Sequence, residues 1–284
     1  MTRLTLRACA KLNLTLDVTG RRPDGYHDMT MIMQSVDLWD TLTVETTQDG
    51  RIEVACGDLS GEDNLAFEAA RRYLTAAQSS CGVRVSIEKK IPVCGGLAGG
   101  SADAAGVLTA LDRLIGGVDR PALDAIALAL GADVPFALLG GTALAEGVGE
   151  RLKPLKPLRG CTFLLISAGE KDSTGAMFRR LDELSHPFHP DTDAVIRALS
   201  AGDTALAASG FGNAFSPLWR SPRVERIRSI MLENGAWNVS LSGAGPTLFG
   251  SFADDRTALP CRSALASEGE AILCHPTEKS ILPV

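Results

Sequence analysis

Near the start of the chain Leu14, Leu16 and Val18 alternate with Asn13, Thr15 and Asp17, the period of a half-buried strand. Residues 21–25, RRPDG, follow with Pro, Asp and Gly in the order that turns favour. Residues 41–46 and 51–56 lie either side of Asp49-Gly50 and predict a hairpin across it. The period then changes. Ala66, Ala70, Tyr73, Leu74 and Ala77 share one face of a helix over residues 63–78. Val83, Val85 and Ile87 return to the strand period. A glycine-rich loop, 92–100, runs into a helix whose apolar face holds Ala104, Leu108, Leu111 and Ile115. Pro121 suits the first turn of the next helix, with Leu123, Ile126, Ala127 and Leu130 inward and Gly131 as its stop. Small apolar residues over 134–145 read as a turn of helix and then a strand.

Residues 153–157, KPLKP, lack periodicity and carry two prolines, which predicts a linker between residues 1–157 and 158–284. Beyond it come a buried strand at 162–167 and helices near 174–184, 192–200 and 222–233. Strands at 237–241 and 247–252 flank Ser242-Gly-Ala-Gly-Pro246, and a last helix and a strand near 271–274 follow. Helices and strands mix without strict βαβ alternation, so an α+β fold is expected rather than a doubly wound sheet.

With 284 residues, 45% of them apolar, the chain can fill one large core or two modest ones. Its net charge of −6 argues against a nucleic-acid coat. No apolar run approaches the ~18 residues of a membrane span. The first residues read as a strand and not as a signal peptide, which predicts a cytoplasmic protein. Seven scattered cysteines without a CxxC pair read as reduced thiols.

The strongest chemical signal is Pro92-Val93-Cys94-Gly95-Gly96-Leu97-Ala98-Gly99-Gly100-Ser101-Ala102. Its four glycines let backbone amides approach an anion, and the helix beyond adds unpaired N–H groups and the positive end of its dipole. That is a phosphate cradle. It is neither a Walker A loop, since Ser101-Ala102 stands where Lys-Ser/Thr is needed, nor a dinucleotide fingerprint. Lys11 and Asn13 share a strand face and can hold an anionic or hydroxylated ligand. Asp133, alone among small residues before Pro135, reads either as a helix cap or as a general base or orienting carboxylate. The segment 146–150, EGVGE, reads as a surface turn. Tyr26 and His27 put two flat rings on a loop, suited to stacking on a nucleobase. His186 and His189 lack further ligands nearby and read as loop residues, not a zinc site.

Taken together, Ala10-Lys-Leu-Asn-Leu14 with Gly25-Tyr-His27, the glycine loop, Gly131-Ala-Asp-Val-Pro135 with Gly147-Val-Gly-Glu150, and Leu241-Ser-Gly-Ala-Gly-Pro-Thr247 resemble the GHMP kinase superfamily over nearly the whole chain. The resemblance implies an N-terminal domain like domain two of ribosomal protein S5 and a C-terminal ferredoxin-like domain, with the site between them. It implies ATP with Mg²⁺, and a small-molecule substrate, a cytidine diphosphate-linked methylerythritol phosphorylated on its 2-hydroxyl. It assigns Lys11 and Asp133 to catalysis, residues 92–102 to ATP, and Asn13, Tyr26 and His27 to the substrate. It points to no nucleic acid and no membrane, and leaves the Mg²⁺ ligands and the oligomeric state open. Cys94 and Ala98 stand where many members have Gly, and Ala102 where many have Ser. Pro260 is expected to disrupt a long terminal helix. Another small-alcohol kinase of the superfamily, for homoserine or mevalonate, is the nearest alternative, and an RNA-binding S5-like protein a more distant one.

Overall fold

The structure, a computed structural model, describes residues 2–170 and 172–284. Two long strands, β1 (Arg3–Arg21) and β2 (His27–Thr47), form an antiparallel hairpin across the 22–26 turn. The hairpin is too long to be covered by one set of neighbours. Its Arg3–Cys9 half lies between β12 (Ile281–Pro283) on β1 and β4 (Gly82–Glu88) on β2. Its other half lies between β8 (Gly212–Asn213) on β1 and β5 (Thr142–Gly147) on β2. The register slips between Cys9 and Lys11 and again between Asn13 and Thr15. Such irregularities bend a strand and re-aim its side chains, and here they bracket Lys11 and Asn13.

The hairpin expected across Asp49-Gly50 does not form. β3 (Ile52–Ala55) pairs in parallel with β4, and β4 takes the place beside β2. Asp49 Oδ1 accepts from Thr47 Oγ1 at 2.6 Å and from Arg51 N at 3.0 Å, turning the chain out of line. Gly82 sits so close to Thr47 and Asp49 that a Cβ there would lie 2.2 Å from Thr47 Oγ1.

One face of this sheet carries α1 (Leu65–Ala76) and α2 (Gly99–Leu114), followed by α3 (Arg120–Leu130) and α4 (Val134–Leu139). Asn64 and Asp119 cap α1 and α3 through their side chains. Helix α2 is buried over most of its length, and a side chain at Gly106 would press on Leu6 and Leu42. Arg151–Pro154 forms an edge strand, β6, on β5, which takes up the first two residues of the 153–157 stretch and leaves 155–157 irregular, an edge being where a strand tolerates proline.

The second sheet has the order β11-β7-β10-β9, all antiparallel: β7 (Thr162–Ser167), β9 (Asn238–Leu241), β10 (Thr247–Phe252) and β11 (Ala271–Cys274). It is packed by α8 (Pro222–Glu233) and α9 (Asp255–Ala264), while α5 (Thr174–Asp182), α6 (Thr192–Ala201) and α7 (Thr204–Ser209) connect it to the first sheet. Pro260 lies inside α9, which runs on through it to Ala264. Neither β8 nor β12 carries a signal in the sequence, and each extends the first sheet from the chain's later half.

Candidate active site

A cavity of about 1390 Å³ opens between the glycine loop, the β1–β2 hairpin, α5 and the 243–244 turn. At one end is the loop. Ala98, just before α2, is left-handed with φ 57°, and the first bond inside the helix runs from Ala102 N to Ala98 O at 2.9 Å. The amides of Gly99, Gly100 and Ser101 precede that bond and are free to face an anion. The loop is clamped from behind. Ser242 Oγ donates to Gly96 O at 2.9 Å, Thr247 N to Gly95 O at 3.3 Å, and Lys11 N to Leu97 O at 3.0 Å. Gly96 cannot be replaced there: φ is 77°, and a Cβ would sit 2.3 Å from Ser242 O. The Ser242–Pro246 segment is held in turn by Asn213, whose Nδ2 donates to Leu241 O at 2.7 Å and Gly243 O at 2.8 Å, and by Trp219 Nε1, which donates to Ala244 O at 3.1 Å.

The middle of the cavity holds the strand residues re-aimed by the bulges. Lys11 Nζ donates to Asn13 Oδ1 at 2.7 Å and lies 3.6 Å from Asp133 Oδ2. Asn13 Oδ1 also accepts from Gly243 N at 2.9 Å, so the amide is locked and Lys11 is aimed. Asp133 occupies the N-cap position of α4 but makes no side-chain cap bond. Its carboxylate turns to Lys11, with a third of the side chain exposed to the cavity. The side chain is therefore not a helix cap and faces Lys11 instead.

At the far end, His27 and Tyr26 part company. Tyr26 is 65% exposed, whereas His27 is buried. The His27 ring stacks on Phe178 of α5, with centroids 4.7 Å apart, and its Nε2 lies 2.8 Å from Asp182 Oδ1. Phe178 rests edge-on against Phe215. Phe178 and Asp182 line the cavity and were not singled out in the sequence; α5 was recognisable there, but not which part of the first sheet it would meet. A second group missed from the sequence lies under the loop: Lys89, with Asp40 and Asp103 on either side of it. Among the described residues no group of three or more His, Cys, Asp and Glu side chains converges as a metal cage. No helix of the described residues is long and apolar enough to cross a membrane. The described cysteines are all free thiols, and Cys94 in the loop is the exposed one.

Residues 64–141 match the GHMP kinases N terminal domain, and residues 220–271 the GHMP kinases C terminal domain. The chain is 39% identical over 286 aligned positions to a 4-diphosphocytidyl-2-C-methyl-D-erythritol kinase of Lachnospira eligens, covering 98% of this chain and 99% of that protein. It is 40% identical to the enzyme of that name from Pelotomaculum thermopropionicum, over 96% and 98% of the two chains. A crystal structure of 4-(cytidine 5'-diphospho)-2C-methyl-D-erythritol kinase superposes with a TM-score of 0.82 at 36% identity, covering 96% of this chain and 99% of that one. A homoserine kinase from Cytophaga hutchinsonii shares the fold, with a TM-score of 0.78 at 18% identity. Within the GHMP kinases, this chain belongs to the family of the 4-diphosphocytidyl-2-C-methyl-D-erythritol kinases.

Proposed function

We propose that this chain transfers the γ-phosphoryl group of ATP to the 2-hydroxyl of 4-diphosphocytidyl-2-C-methyl-D-erythritol, in the cytoplasm. The observation that carries the reading is the Lys11–Asp133 pair, 3.6 Å apart, which lines one cavity together with a phosphate cradle and the His27–Phe178 ring pair. The substrate has a matching layout, with a nucleobase at one end and the reacting hydroxyl at the other. Family membership supports the same reading.

In this reading the amides of Gly99, Gly100 and Ser101 hold the triphosphate, and residues 92–102 as a whole form its wall. Asp133 accepts the proton of the acceptor hydroxyl, whose oxygen then attacks the γ-phosphorus as ADP leaves. Lys11, aimed by Asn13, offsets charge developing on the transferring group. Most of the rate then comes from positioning and electrostatics. His27, Tyr26 and Phe178 surround the cytosine, and Asn13 also reaches the substrate. Mg²⁺ keeps several waters and binds through phosphates with few protein groups, so a site without a carboxylate cage suits an ion carried on the nucleotide's own oxygens. When bound, it would neutralise triphosphate charge; the loop amides hold the phosphates that hold it. Residues 1–157 are the ATP-binding unit in this scheme and residues 158–284 the second unit.

The test is turnover of the purified chain with ATP and each of three alcohols: the cytidyl substrate, homoserine and mevalonate. ADP release with the cytidyl substrate alone, and a phosphorus NMR signal for a new 2-phosphate, is the expected result. Preferential turnover of homoserine or mevalonate overturns it.

A further inference from the structure

Directly behind the loop lies a buried group of three charges that the chemistry above does not use. Asp40 of β2 is fully buried. Its Oδ1 accepts from Lys90 N at 2.6 Å and Ile91 N at 2.9 Å, and its Oδ2 faces the Lys89 ammonium. Lys89 also donates to Asp103 Oδ2 at 2.7 Å. Asp103 projects from α2, four residues after Gly99, and is 2% exposed. It lines the main cavity, and its Oδ1 has no hydrogen-bond partner among the described residues. The cradle is close: Lys89 Nζ lies 3.1 Å from the point where a Cβ on Gly99 would stand.

With both carboxylates ionised, this group carries one net negative charge behind a site that must take an anion. Of its two carboxylates, Asp40 has both oxygens engaged by donors, whereas Asp103 has one oxygen with none. An ionised oxygen without a donor is costly in the interior, and a proton lowers that cost by removing the charge. Burial pushes the Asp103 carboxyl up to about 7; the Lys89 charge pulls it down and the Asp40 charge raises it further. Burial alone would lower Lys89, but the two carboxylates outweigh it and hold it above its ordinary value.

Among the described residues, the charged groups of the elements packed on α2 are engaged elsewhere, and Lys89 and Asp40 are the charges that act on Asp103. In α1, Glu68 pairs with Arg71 and Arg72, and the Tyr73 hydroxyl donates to Asp112, further along α2. In α3, Arg120 pairs with Asp124. On the sheet, Arg7 of β1 lies over Trp39, Lys11 is paired with Asp133, and Glu45 of β2 pairs with Arg84 of β4. Helix α4 and β12 carry no ionisable side chain. The Cys56 thiol, next to β3, is raised by burial and by Asp103 and Asp40. Asp58 and Asp63 line the same cavity and add only negative charge.

We propose that Asp103 is a positioning residue that takes up one proton, on Oδ1, as a nucleoside triphosphate settles on the glycine loop. The proton comes from solvent and leaves Asp40 and Lys89 as a neutral pair behind the phosphates. This rests on the reading that ATP binds at residues 92–102. Linkage makes the effect reciprocal: the anion raises the proton affinity of Asp103, and protonated Asp103 raises the affinity for the anion by the same factor. Nucleotide affinity is therefore highest where Asp103 is already protonated in the free protein. It falls as pH rises through 7 and levels off once Asp103 is ionised in the complex too. Each unit separating free and bound values gives about a tenfold fall in affinity.

The experiment is calorimetric titration of the full chain with ATP at saturating Mg²⁺, at pH 6, 7 and 8, each in two buffers of different ionisation heat. The expected result is net proton uptake near pH 7 with a Kd that weakens by about tenfold towards pH 8. Asp103→Asn, which keeps the shape and mimics the protonated form, should abolish the uptake and hold the tighter Kd at every pH. ATP that binds the wild type without proton uptake overturns the proposal alone, and so does uptake that persists in Asp103→Asn. ATP that does not bind at all overturns the site reading and this proposal with it. Should Asp103→Asn fail to fold, the wild-type buffer pairs decide by themselves.

Discussion

At the phosphate end of the cavity the wall is backbone: amides of consecutive residues in the first turn of α2, with Gly96 pressed against Ser242 O behind them. At the base end the wall is side chains, and they come from opposite halves of the chain. His27 opens β2, and the Asp182 that its ring meets lies 155 residues later. A backbone site needs a continuous stretch with small residues in it, so it writes itself into the sequence as a motif. A side-chain site needs only that packing bring a few rings together, and its parts are as far apart as the fold allows. Lys11 and Asp133 stand between the two and share features of both: each sits in a short motif, yet the pair exists only because β1 and the N-terminus of α4 meet.

The comparison breaks most sharply at that junction. Asp133→Asn keeps size and could still cap a helix, but loses charge and basicity. If the two ends serve one reaction through Asp133, kcat should fall by about 10²–10⁴ while both substrates still bind. A fully active Asp133→Asn enzyme in steady-state assays would remove it from the chemistry.

The phosphate end can be split by two glycines that look alike in the sequence. No atom lies within 4 Å of a Cβ built on Gly100, whereas one on Gly96 meets Ser242 O at 2.3 Å. Gly100→Val should leave the melting temperature close to the parent's and raise the KM for ATP by roughly tenfold or more, by crowding the free amides. Gly96→Val should lower the melting temperature by several degrees, since overpacking costs ~1–3 kcal/mol and the left-handed backbone adds to it. The two variants exchanging these outcomes would mean that the anion approaches from the other face. Gly99→Val is a poorer probe, because its side chain would press on Ile91 at 3.0 Å and on Lys89.

At the base end, Phe178→Ala removes the ring against His27. Base–aromatic stacking is worth ~1–3 kcal/mol, which predicts a rise of very roughly 5- to 150-fold in the KM for the cytidyl substrate. The KM for ATP should barely move. Equal losses for both substrates would erase the distinction between the ends.

Much of the architecture was legible from period and punctuation. Helix α1 falls within the stretch marked by Ala66, Ala70 and Tyr73, and β10 runs over the predicted residues 247–252. What failed, failed for tertiary reasons. Residues 52–55 have good strand character, but nothing local says that β4 will intrude between them and β2. Strands β8 and β12 are two and three residues long, too short for any period to show. In the site, the loop, Lys11, Asn13 and Asp133 were all visible as motifs. Phe178 was invisible because its only signature is an aromatic residue on an amphipathic helix. Asp103 was invisible because on the helix face it reads as an ordinary polar position, and only the arrival of Lys89 beside it gives it meaning. Cys94 and Ala98, the two loop positions where the resemblance leads one to expect glycine, are both left-handed, with φ of 57°.

Strand β12 lies opposite Leu6, Arg7 and Ala8 of β1, and the seam is flanked by bonds from Val284 N to Thr5 O at 3.1 Å and from Cys9 N to Ser280 O at 2.9 Å. During synthesis, then, β1 and β2 emerge first, and this edge of β1 stays bare until residues 281–283 have left the ribosome. For that interval the nascent protein carries an open strand edge of the kind that invites pairing with other chains.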